Sequence, residues 1–198
     1  MQTETARVEA FSDGMFAIAI TLLILEIKVP DPAQGPLVGA LLRQWPSYLA
    51  FFLSFAYIGV MWMNHHRMFS HIRHSNDTLL VLNLLLLLGV TAVPFPTAVL
   101  ASRLGTNDQR TAAIFYNAVF VVIAIFFNVL WRYAVSRQLL DKSMSTSAAM
   151  ISRQYAVGPW LYVICLVLAF VDVRVSLGVN VAMAVFFALP PELVRKRE

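Results

Sequence analysis

The chain has 198 residues, 59% of them hydrophobic and 13% charged, with a mean hydropathy of +0.71. Soluble domains run about 45–50% apolar and about 25% charged, so this composition excludes a disordered chain, a nucleic-acid-binding domain and an ordinary soluble enzyme. The net charge of +4 comes from 15 basic residues set mostly at the ends of apolar runs, the placement of topology signals rather than of a nucleic-acid patch.

A membrane-spanning helix needs about 20 apolar residues, because ~30 Å of hydrocarbon is crossed at ~1.5 Å per residue. Six would occupy about 120 residues, and seven would leave almost nothing for loops. The first run, Gly14 to Leu25, gains Ile27 and Val29 and stops at Pro30-Asp31-Pro32. Proline lacks the amide donor and disfavours helix in the residue before it. Arg7 to Asp13 extends this helix upstream, and with Glu4, Glu9 and Asp13 against Arg7 the segment reads as helix rather than signal peptide. The second run goes from Pro46 to Met63, and polar residues Asn64 to Asp77 follow. The third is Thr78 to Leu100, with Pro94 and Pro96 kinking its far end. The fourth is Thr111 to Trp131, before the polar segment Ser136 to Ser147. The fifth is Tyr155 to Val171; after Asp172-Val173-Arg174 the sixth runs from Val175 to Leu189 and ends at Pro190-Pro191.

These runs predict an all-α, polytopic membrane protein: one domain over residues 1–198 with helices over about residues 6–29, 45–69, 77–101, 110–135, 152–171 and 174–190. They are too long for barrel strands of about 9–11 alternating residues. Cys165, the lone cysteine, lies inside an apolar run and offers neither a disulfide framework nor a Cys-based metal site. Arg7, Arg67, Arg73, Arg132, Arg137, Lys142, Arg153, Arg195, Lys196 and Arg197 fall on one side of the expected membrane. Lys28, Arg43, Arg103, Arg110 and Arg174 fall on the other. The positive-inside rule then places both termini in the cytoplasm.

An ionisable side chain at the head of a spanning helix is costly unless paired, which marks Asp13. At ~100° per residue, Asp13 lies about 140° from Ile18, whereas Leu22 and Leu25 lie within about 40° of it and Thr21 about 60° to one side. The first helix thus has an aliphatic stripe and a face carrying Asp13. Helix 2 ends on the same side as Asp13 with Trp62, Asn64, His65 and His66, and helix 3 begins there and carries Asn83. Arg7, Ser12, Asp13, Trp62, Asn64, His65, His66 and Asn83 are therefore expected to share one layer. That layer is either a helix-locking hydrogen-bond cluster or a proton- or ion-binding site. His65, His66, His71 and His74 lack the i, i+4 spacing of a zinc pair, and the expectation is an interfacial loop that pairs with headgroups or Asp77. The stripe of Ile18, Leu22 and Leu25 faces lipid, another helix or a pore.

The motif Arg7-x-x-x-Phe11-Ser12-Asp13 at the head of the first helix resembles the signature of the transmembrane-protein-175 family of potassium channels. Gly14 to Leu23 reads like its prokaryotic branch, and Trp62-x-Asn64-His65-His66 and the Asn83 to Pro94 run are similar to the family too. Helices 4 to 6 match only in hydropathy. The resemblance implies six helices per repeat, with helix 1 lining the pore. Eukaryotic members carry two repeats and form dimers, so a chain with one repeat implies a homotetramer in a prokaryotic inner membrane, with lipids and potassium ions as its partners and no cofactor. By position, Ile18 corresponds to the narrowest constriction, Leu22 and Leu25 to further pore-lining layers, and Thr21 to a threonine implicated in potassium preference. Arg7, Phe11, Ser12 and Asp13 correspond to the signature that braces helix 1 against helices 2 and 3.

The chain has no Thr-Val-Gly-Tyr-Gly carbonyl filter. Modest selectivity over sodium would then arise at a hydrophobic ring acting as filter and gate. Glu26 either concentrates cations at the outer mouth or pairs with Lys28 or Arg43. The rival reading is a small proton-coupled secondary transporter that uses Asp13 and the His65 layer.

Overall fold

The computed structural model describes residues 5–141 and 145–188. Eight α-helices follow in order among them: α1 Ala6–Leu22, α2 Leu37–Arg43, α3 Trp45–Phe69, α4 Asp77–Ala92, α5 Pro94–Arg103, α6 Gln109–Ser136, α7 Ser145–Val171 and α8 Val173–Ala188. By length and composition, four helical stretches are apolar enough to cross a membrane: Ala6–Glu26, Trp45–Phe69, Asp77–Arg103 and Gln109–Ser136. Tyr155–Val171 and Val173–Val185 are shorter apolar helices.

The helix termini follow local chemistry. α1 tightens into a 3-10 turn over Leu23–Glu26, and Ile27 is already extended, so this helix ends three residues before Val29. At the expected kink in the third span the helical hydrogen-bond ladder breaks at Pro94. Pro94 has no N–H to give, and Val93 keeps helical dihedrals, so α5 continues from α4 with Thr97 donating both its amide and its hydroxyl to the Val93 carbonyl. Asn76 caps α4 by accepting from the Leu79 amide at 2.9 Å. Asp172 alone separates α7 from α8, and its carboxylate accepts from the amides of Arg174 and Val175. That cap turns the chain into an antiparallel hairpin in which the Ser176 hydroxyl reaches back to the Cys165 carbonyl at 2.8 Å.

α6 packs against α4, α5, α7 and α8, and α3 against α1, α5 and α8. The core between them is aromatic and aliphatic, with Tyr57, Tyr116, Phe120, Ile123 and Trp131 fully buried. α1 lies on α3 and α4. The sequence reading is also exceeded in two stretches. α2 occupies a stretch read as part of a loop, and α7 begins at Ser145, inside the expected 136–147 loop. The histidine loop is also tied to the segment after α6. Its backbone pairs with residues 139–141 through an isolated antiparallel bridge, Ile72 to Leu140, and Arg73 Nε meets Asp141 Oδ2 at 2.8 Å.

Candidate functional site: the two faces of the first helix

One face of α1 is buried: Ser12, Phe16, Ala19 and Leu23 recur at i, i+4, i+7 and i+11, the spacing of a single helical stripe. The only polar member, Ser12, begins a directed chain of hydrogen bonds. Ser12 Oγ donates to the Val8 carbonyl at 2.8 Å and accepts from Asn83 Nδ2 at 3.0 Å. Asn83 Oδ1 meets His65 Nε2 at 2.9 Å. An amide oxygen only accepts, so the imidazole carries its proton on Nε2. Three helices, α1, α4 and α3, are joined by this chain. His65 stacks on Phe69 with ring centroids 4.4 Å apart and lies 5.4 Å from Phe16. Its Nδ1 is buried with no partner among the described residues.

Beside this buried chain run two more exposed ties. Trp62 Nε1 donates to Asp13 Oδ1 at 2.9 Å, and His66 Nδ1 meets Glu9 Oε1 at 2.7 Å. The Thr5 hydroxyl donates to the Ile72 carbonyl at 3.1 Å. The first half of α1 is thus fastened by polar contacts, while its second half rests on apolar packing through Phe16, Ala19, Ile20 and Leu23. Of the residues expected in one layer, the structure brings together Ser12, Asp13, Trp62, His65, His66 and Asn83. It leaves out two. Arg7 is exposed and outside the network. Asn64 lines the space between α3, α6 and α7, and its backbone carbonyl accepts from the Tyr155 hydroxyl at 3.2 Å. Glu9 was not anticipated; its i+4 relation to Asp13 puts both carboxylates toward the end of α3.

The other face of α1 is half-exposed among the described residues. Ile18 is 54% exposed, Leu22 41% and Leu25 59%. Phe11 is exposed at the start of the helix. Leu25 stands on the 3-10 turn, but i and i+3 eclipse in that geometry, so it stays in line with Leu22. Thr21 is exposed at the edge of the stripe and its hydroxyl donates to the Ile18 carbonyl at 2.9 Å. Lys28 Nζ turns to the Leu25 carbonyl at 2.6 Å rather than to Glu26. Among the described residues, no three His, Cys, Asp or Glu side chains converge as a metal site would require.

A model described as endosomal/lysosomal potassium channel TMEM175 matches residues 7–94. A protein of Chamaesiphon minutus named as a potassium channel is 50% identical over 193 residues, 95% of either chain. The chain belongs to the TMEM175 family. It is therefore a multi-pass membrane protein of a channel family and not an enzyme. The crystal structure of a lysosomal potassium-selective channel TMEM175 homolog from Chamaesiphon minutus matches with a TM-score of 0.86 and 49% identity, over 94% of this chain and 97% of that one. Mouse endosomal/lysosomal proton channel TMEM175 is 38% identical over 144 residues, which is 67% of this chain and 28% of the mouse protein.

The residues matched by the TMEM175 model take in α1, α3 and α4, so the Ser12–Asn83–His65 chain lies wholly inside them. A second buried polar group does not, and the sequence reading missed it. Ser54 bonds Thr97 at 2.7 Å and Tyr116 at 3.0 Å. Tyr57 donates to Asn180 Oδ1 at 2.7 Å, Asn180 Nδ2 to Asn117 Oδ1 at 3.1 Å, and Asn117 Nδ2 to Ser176 Oγ at 3.3 Å. Each asparagine is a single polar residue in an apolar run, and that isolation was the available signal.

Proposed function

We propose that this chain is a potassium channel that works as a homotetramer, with four copies of α1 around the pore and both termini in the cytoplasm. The carrying observation is the division of α1: one face tied by Ser12 and Asp13 to α3 and α4, and an opposite aliphatic face left exposed among the described residues. Exposed apolar side chains on the other spans, such as Phe52, Leu84 and Val122, suit lipid; on α1 the stripe lies across from the polar ties that fix its direction, and in this reading it meets other copies around an ion path. The names of its relatives as potassium channels support the choice of ion. The excess of Lys and Arg, ten against five, on the side where α1 begins supports the orientation.

In this reading Ile18 forms the narrowest ring, and Leu22 and Leu25 form rings toward the outside. An aliphatic ring strips water from an ion and returns little. Potassium holds its water less tightly than sodium and loses less on passing, so preference arises without a carbonyl filter. Selectivity of this origin is modest. When the ring narrows, water leaves it and conduction stops, which makes the constriction a gate as well. Thr21 donates its hydroxyl hydrogen to the Ile18 carbonyl, so its oxygen lone pairs are what it offers to water or a cation at the next level.

The test is flux through purified protein in liposomes, with subunit number measured by mass in detergent. Potassium is expected to pass faster than sodium through a tetramer. No cation flux would sink the proposal, and saturable, gradient-coupled uptake would turn it toward a transporter.

A further inference from the structure

α7 carries Pro159 inside its helical run. The proline has no N–H for the carbonyl of Tyr155, four residues back, and the neighbouring helix supplies the missing donor: Asn128 Nδ2 reaches the Tyr155 carbonyl at 2.7 Å. Beside this break a cavity of about 70 Å³, open on one side, lies between α3, α6 and α7. Its wall is mostly apolar, with Val60, Phe127 and Pro159, and Asn64, Asn128 and Tyr155 stand at its edge. The volume is about half that of the ~150 Å³ void that accepts benzene, which suits a stretch of hydrocarbon chain better than a ring.

Two arginines stand over it. Arg67 follows Asn64 by three residues on α3, and Arg132 follows Asn128 by four on α6, so each lies on the cavity side, one turn nearer the helix end. α3 and α6 finish at the same end of the bundle, where their following loops pair. Arg132 Nε donates to Asn128 Oδ1 at 2.6 Å. Both arginines are exposed, and neither has a carboxylate partner among the described residues; Glu9 pairs with His66 and Asp141 with Arg73. An apolar void at bilayer depth capped by two unmatched cations at headgroup level is complementary to one molecule class. We propose that this groove binds an anionic phospholipid, one per protomer, with its phosphate at Arg67 and Arg132 and an acyl chain laid over Val60, Phe127 and Pro159. Lipid is the occupant because the void lies among membrane-spanning helices, where an acyl chain is the filler at hand, and the two charges select the anionic kind.

Native mass spectrometry of the purified protein, titrated with phosphatidylglycerol or with phosphatidylcholine of the same chain length, tests this. Wild type is expected to retain phosphatidylglycerol at least tenfold better. Arg67→Gln/Arg132→Gln is expected to lose that preference. Gly158→Phe fills the groove with both arginines intact, since a Cβ on Gly158 meets nothing within 4 Å, and is expected to lower phosphatidylglycerol retention about tenfold. Val60→Phe fills the same space from α3 and gives a second reading of the same kind. Absence of a preference in wild type, its survival in the double arginine variant, or full retention by both filled variants would overturn the proposal.

Discussion

The Trp62 indole donates to the Asp13 carboxylate across 2.9 Å, and the residue next to Asp13, Ser12, is tied to Asn83 on a different helix. Two adjacent residues of α1 thus point to α3 and to α4. A helix held from two directions at one level cannot turn about its axis there without breaking one tie. The rotation of α1 is therefore set at Ser12 and Asp13, and the direction of Ile18, five residues beyond Asp13, follows from it.

Trp62→Phe keeps a ring in place and removes only the donor. Hydrogen bonds to charged groups are worth about 1.5–3 kcal/mol, and the half-exposed position of Asp13 puts the expected loss near the lower figure. Thermal unfolding in detergent should show a lower midpoint than wild type. An unchanged midpoint would mean that water replaces the indole at no cost and that Asp13 is not held by Trp62.

Ile18→Asn addresses the exposed face instead. Ile18 is 54% exposed within one subunit and faces the pore in the proposed tetramer, so its substitution is read in conduction. It should raise potassium current in liposomes or patches and lower the preference over sodium, because a polar ring stays hydrated where an aliphatic one does not. Unchanged current and selectivity would remove Ile18 from the ion path.

Most of the helical pattern was open to reading because hydrocarbon imposes a length on each span and proline and charge punctuate the ends. Asp13, Trp62, His65 and Asn83 were legible for a related reason: charged, indole and imidazole groups in apolar surroundings demand partners. Arg7 and Asn64 were misplaced because helical position alone does not say which neighbour a side chain finds. α2 was missed because the run Leu37 to Leu42 is too short to announce itself as a span, and its register depends on what Ala40 packs against. The Ser54, Asn117 and Asn180 layer escaped because uncharged polar side chains are tolerated singly in spans, and only the packing of α3, α5, α6 and α8 shows that they meet.

Gly89 of α4 packs against Ile123 of α6. A Cβ added there would lie 2.8 Å from Ile123 Cγ1, well inside contact distance. Alanine normally gains up to about 1 kcal/mol over glycine in a helix, but overpacking a tight core contact costs about 1–3 kcal/mol, so Gly89→Ala should be destabilising. Removing the opposing atoms with Ile123→Ala should relieve it. In a double-mutant cycle on unfolding free energy, the two changes together should cost less than their sum. Strict additivity would show that α4 and α6 shift apart freely at this point.

Asn128 and Pro159 make the sharpest case, because the carbonyl that Pro159 leaves without a donor on α7 is served by Asn128 from α6. Asn128→Leu withdraws the amide from the Tyr155 carbonyl and also releases Arg132. A carbonyl left unpaired in a low-dielectric interior costs about 1–3 kcal/mol, so the single variant should unfold at lower temperature or denaturant than wild type. Pro159→Ala restores an N–H four residues beyond Tyr155, where the helix's own hydrogen bond would form. In the background of Asn128→Leu it should recover most of the lost stability, since the carbonyl regains a donor. In the wild-type background the same change gains much less, because Asn128 already serves that carbonyl. Equal effects of Pro159→Ala in both backgrounds would show that Asn128 does not compensate for the proline, and that α7 tolerates its open carbonyl by some other means.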